Sequence, residues 1–100
     1  MCLLGGLLAS AALAAQRPSP ATRQAIRRVV KRYVLRTGCC HVSTMEFGRA
    51  KQSTVDLRWA EINFDGWDAR GVEQGWATAA VHRDRSGRWH TVDLGTAGLG

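Results

Sequence analysis

The sequence predicts an α+β domain in which one amphipathic helix packs across a four-stranded antiparallel meander, preceded by an apolar, signal-like segment. Three observations predict it. Ser19 to Gly38 carries a single apolar stripe at helical spacing. Beyond Gly38 the chain breaks into short alternating stretches separated by clusters of Gly, Asp and Ser. Ahead of Arg17 lies an uncharged run of Ala, Leu and Gly. The expected organisation is a signal-like segment over 1–15, a lead-in over 16–20 and one small domain over 21–100.

Leu3 to Ala15 is an uncharged run of thirteen residues, too short for a bilayer span of about 20. It matches the apolar region of an export signal, and Ala12-Leu13-Ala14 or its neighbours offer a small-x-small cleavage site. The charge bias around it is inverted, with nothing basic before the run and seven cationic residues after it. Either a basic segment upstream of Met1 or a hydrophobic helix start accounts for this. The composition and the cleavage pattern favour the first, and the expected location is secreted or cell envelope. Arg17-Pro-Ser-Pro20 then reads as an extended, accessible lead-in.

The helix rests on Ile26, Val29, Val30, Tyr33 and Val34, which share one face at 3.6 residues per turn. Ser19-Pro20 is a start signal, a capping hydroxyl followed by a residue already set to helical φ. Gly38 is a stop signal, because the residue past a helix end commonly takes positive φ. The net charge of +6 belongs to this element, since Arg17 to Arg36 holds seven basic residues and no acid. The remainder balances seven basic residues against eight acidic ones. Arg23, Arg27, Arg28, Lys31 and Arg32 are the candidate binding residues, facing phosphates, anionic lipid or an acidic protein. A solvated helix face is the bland alternative.

Cys39 and Cys40 follow the helix directly. Adjacent residues on an extended chain point to opposite faces, so at most one looks into the core. A bond between them is strained, because neighbouring Cα atoms lie about 3.8 Å apart and disulfides prefer roughly 5.5 Å. Consecutive Cys39-Cys40-His41 cannot converge on a tetrahedral metal as spaced ligands do. One buried thiol and one thiol open to a disulfide partner is the expectation.

The β region reads as four strands. His41 to Phe47 is a short alternating stretch, followed by a polar connection over Gly48 to Ser53. Leu57 to Phe64 follows, with Ala60, Ile62 and Phe64 on one face, then a turn over Asp65 to Gly71. Val72 to Arg83 is the third strand, Asp84 to Gly87 a tight hairpin loop with Gly87 in the left-handed position, and Arg88 to Leu94 the fourth. Trp59, Trp76 and Trp89 come from successive strands and suit the helix–sheet layer or the open sheet face. Trp67, placed in the turn, is the tryptophan best suited to bind a sugar or peptide.

No nucleophile–base set emerges, and no carboxylate lies in an apolar run that would raise its pKa for acid–base work. With a loop over Arg85 to Gly87, His82 and His90 face each other across the hairpin and become weak metal candidates in need of a third ligand. The terminal glycines lack the following helix and lysine of a phosphate loop. No cofactor is expected.

Leu57-Arg-Trp-Ala60, Ala79-Ala-Val-His-Arg83, Gly87-Arg-Trp89 and Leu94-Gly-Thr96 together resemble a group of short exported bacterial proteins of unassigned function. The resemblance covers about residues 21 to 100 and implies a leading helix, a small antiparallel sheet and a closing hydrophobic-Gly-Thr/Ser segment, often followed by a cysteine. It carries over no catalytic residue. The sequence through Gly100 shows no such cysteine; were one to follow, Cys39 or Cys40 would be its natural partner. The layout is also similar to cystatin-like folds by architectural analogy. The resulting expectation is an exported, non-catalytic domain that binds a macromolecule or serves at the cell envelope. The alternatives are a nucleic-acid or anionic-membrane binder acting through the helix, and a metal protein or enzyme built on His82 and His90.

Overall fold

The computed structural model describes residues 15–38 and 41–96. In chain order these form β1 (Ala15–Gln16), α1 (Pro20–Thr37), β2 (Thr44–Ser53), β3 (Trp59–Trp67), β4 (Glu73–Arg83) and β5 (Trp89–Thr96). The sheet is antiparallel throughout, with order β1-β2-β3-β4-β5. The α+β meander is therefore present, with five strands rather than four. The additional strand is two residues long and pairs Ala15 with Ser53 and Gln16 with Gln52. It is too short to leave a periodic signal in the sequence.

The helix begins and ends where its punctuation dictates. The Ser19 hydroxyl accepts from the Thr22 amide at 3.2 Å, and Pro20 opens the first turn. Gly38 takes φ 61° and its amide donates to the Val34 carbonyl at 3.1 Å, closing the last turn. The lead-in is exposed at Arg17, Ser19 and Pro20 but anchored at Pro18, which is buried and whose carbonyl accepts from Arg23 Nη1 at 2.9 Å. Ile26, Val30 and Val34 are at most 1% exposed, and Val29 and Tyr33 are half-buried at the margin. Beneath α1 the core draws Ala50 from β2, Ala60, Ile62 and Phe64 from β3, Ala79 and Val81 from β4 and Trp89 from β5. The expected face Ala60–Ile62–Phe64 is thus the buried one.

Strand limits differ from the sequence reading in physically informative ways. The stretch Gly48 to Ser53 is strand, not connection. A register shift between Phe47 and Ala50 lets the polar stretch stay in the sheet, and it brings Ala50 and Gln52 inward. Buried Gln52 is satisfied by donating to the Leu57 carbonyl at 2.7 Å. Likewise β3 runs on through Asp65 and Gly66 to Trp67, so the turn is confined to Asp68–Val72. Gly66 is the reason. It lies on the core side, and a Cβ added there would come within 2.6 Å of Val42 Cγ2. Here glycine admits a packed neighbour instead of making a turn. Gly66→Ala is expected to cost about 1–3 kcal/mol by overpacking. Adding Val42→Ala should recover part of it in a denaturation double-mutant cycle, whereas independent losses would exclude the contact.

Candidate functional site

Two surfaces gather chemistry-bearing side chains. The first is a cleft of about 560 Å³ between one flank of α1 and the edge strand β5. Arg28, Arg32 and Arg36 line it from the helix, Arg88 from the end of the β4–β5 hairpin and His90 from β5, and Tyr33 and Trp89 contribute aromatic surface. No acidic residue is among its lining residues. The helical arginines recur every fourth residue, so they stand one above another along one flank. Thr91 Oγ1 donates to the Val29 carbonyl at 3.4 Å and ties the strand to the helix. The guanidinium of Arg83 lies 5.8 Å from the Trp89 ring centroid, holding the indole from the neighbouring strand.

Of the arginines and the lysine expected on the binding face, Arg28 and Arg32 line this cleft. Arg23 is engaged with the lead-in. Arg27 is half-buried, and its Nε is enclosed with no hydrogen-bond partner. Lys31 is exposed outside the cleft lining. Arg36 and Arg88 were not among the expected residues. The four-residue spacing of Arg28, Arg32 and Arg36 is a signal that would have found the former, but Arg88 joins only through the hairpin.

The second surface is the open face of the sheet near the β4–β5 hairpin. His82 and His90 are cross-strand partners, the register expected for a loop over Arg85 to Gly87. Trp59 is the partner of His82 on the other side, with ring centroids 4.4 Å apart and planes tilted by 53°. His90 Nε2 lies 2.6 Å from Asp84 Oδ2. Among the described residues no group of three or more His, Cys, Asp or Glu side chains is placed to hold a metal ion. Cys39 and Cys40 lie outside the described residues.

Asp84 organises this hairpin. Its Oδ1 accepts from the Ser86 amide at 2.8 Å, the Ser86 hydroxyl at 2.6 Å and the Arg88 amide at 3.1 Å. The Ser86 hydroxyl, then His90, then the Arg88 amide hold the Asp84 carboxyl well below the usual carboxylate range. The sign follows from that depression. The carboxylate's contribution to stability is present above the unfolded value and is lost as pH falls towards the folded one. Asp84→Asn should therefore show a smaller drop in thermal midpoint than the parent when pH is lowered from neutrality to below about 3. An unchanged drop would exclude the role. Asp56 is depressed in the same direction by the Arg58 guanidinium, which bonds it at 3.0 and 3.1 Å.

The tryptophans divide by face. Trp89 is core, whereas Trp59 and Trp76 are 42% and 50% exposed on the open side. Trp67 ends β3 opposite Thr44, half-buried, and its carbonyl accepts from the Ser43 amide at 2.7 Å. It is a strand residue rather than a turn residue. Compared with known protein families, curated proteins and solved structures, the chain matches none.

Proposed function

We propose that this chain is an exported, non-catalytic binding domain whose cleft between α1 and β5 receives an anionic partner. The observation that carries the reading is the four-arginine lining of that cleft with no carboxylate among it. Cations of one sign gathered along a cleft add their potentials and attract an opposite charge more strongly than the same residues scattered over a surface. Export is supported by the apolar run Leu3 to Ala15 and its small-x-small site.

An acidic macromolecule fits this arrangement better than a membrane surface does. A helix that lies in a lipid interface inserts its apolar face, and here that face, Ile26, Val30 and Val34, is spent on the sheet. Among the described residues no helix is long and apolar enough to cross a membrane. The test is a salt titration of the intact chain against poly-glutamate, a single-stranded oligonucleotide and anionic phospholipid vesicles. Binding to at least one soluble polyanion is expected. For the oligonucleotide the log–log salt slope should be about −3 if four arginines engage. Absence of binding at low salt, or binding indifferent to salt, would overturn the proposal.

A further inference from the structure

Resting on that reading, the geometry points to a specific occupant: an acidic polypeptide segment, bound in extended form as an additional strand on the outer edge of β5. Main-chain geometry is the first reason. The Arg83 amide donates to the Arg58 carbonyl at 2.8 Å, towards β3, and the Asp84 amide donates to the Arg88 carbonyl at 2.8 Å, across the hairpin. Antiparallel pairs alternate between bonded and non-bonded. Trp89, opposite Arg83, therefore turns its N–H and C=O away from β4, and Thr91, opposite Val81, does the same. No strand lies beyond β5 among the described residues. Both residues also line the cleft. The cleft floor thus presents alternating donors and acceptors of the kind a peptide backbone completes.

Spacing is the second reason. Arg28, Arg32 and Arg36 are separated by four helical residues each, a rise of about 6 Å per step. Side chains on one face of an extended strand recur every two residues, about 6.6–6.8 Å. Glutamates at alternate positions of an added strand would therefore keep pace with the three arginines over the two steps between them.

A nucleic acid satisfies the charge but not the rest. Its phosphates accept hydrogen bonds and donate none, so its phosphate backbone cannot pair with the Trp89 and Thr91 carbonyls as the N–H groups of a peptide backbone do. Single-strand binders also stack bases on exposed aromatic rings beside their cations. Here Trp89 is 9% exposed, and the exposed indoles of Trp59 and Trp76 belong to the opposite sheet face.

The experiment measures fluorescence anisotropy of a labelled nine-residue peptide, glutamate alternating with valine and threonine, binding to the intact chain. Two further peptides carry backbone N-methyl groups on the odd or on the even residues, and an oligo-dT of equal charge is the comparator. One methylated set should weaken binding by about tenfold, the loss of two main-chain bonds, and the other by less than about twofold. Equal effects of both sets would overturn strand addition and leave the anionic reading standing. Oligo-dT binding more tightly than the unmodified peptide would overturn it in favour of nucleic acid. Failure of both probes at low salt would remove the anionic reading as well.

Discussion

Ile62→Ala is expected to be the most damaging single truncation of the sheet, lowering stability by about 4–5 kcal/mol, the upper part of the range for such changes. Ile62 is 1% exposed in the middle of β3. Its cross-strand partners are Ala50 on β2 and Ala79 on β4, with Leu94 one strand further on. Alanines on both sides have no side-chain length with which to collapse into the space, so the cavity stays open and its full cost is felt. The stripe of α1 rests on this same core, so the helix loses its seat along with the strand. A domain this size has a total stability of about 4–12 kcal/mol, and the variant should approach the unfolded state at physiological temperature. Ile62→Val, removing one methyl, should cost about 0.5–1.5 kcal/mol. Urea unfolding checks both through the midpoint at constant slope. A loss below about 1 kcal/mol for Ile62→Ala would mean that α1 is not seated on this row.

The contrast between Ile62 and Gly66 shows how much of this fold is legible in the sequence. Alternation identifies Ala60, Ile62 and Phe64 as one buried face, and capping chemistry locates α1 from Ser19 to Gly38, because both signals are local and repeat several times. The boundaries of β2 and β3 are not legible in the same way. Gly48 and the Asp65-Gly66 pair have turn composition, yet they lie within strands for reasons that are not local. One allows a register shift against β3, and the other makes room for Val42. The site divides similarly. The cationic flank of α1 is visible from charge and spacing, whereas its closure by Arg88 and the edge of β5 depends on a hairpin that returns the chain to the helix after about fifty residues. Trp67 illustrates the reverse error: a turn-like neighbourhood suggested an exposed indole, and the continuation of β3 made it a half-buried strand residue.

Removing the arginine row should weaken binding while leaving stability nearly unchanged, and this contrast separates a functional role from a structural one. Arg28, Arg32 and Arg36 are exposed and none takes part in an ion pair among the described residues. They form two like-charge pairs at i, i+4, each of which costs an isolated helix about 0.2–0.5 kcal/mol. Arg32 belongs to both pairs. Arg32→Gln should therefore leave the fold as stable as the parent or slightly more so, by up to about 1 kcal/mol. Arg36 differs because a cation in the last turn suits the carbonyl end of the helix. The triple variant Arg28→Gln, Arg32→Gln, Arg36→Gln should be close to neutral in stability. Its affinity for an acidic polymer should nevertheless fall by roughly one to two orders of magnitude, at up to about 1 kcal/mol per lost contact. The salt dependence should shrink with it, since fewer counterions are released. Lys31→Gln, altering a cation of the same helix outside the cleft, is the matched control and should change affinity by less than about twofold. Equal losses from Lys31→Gln and Arg32→Gln would reduce the cleft to net charge alone, whereas loss confined to the row assigns recognition to the flank that faces β5.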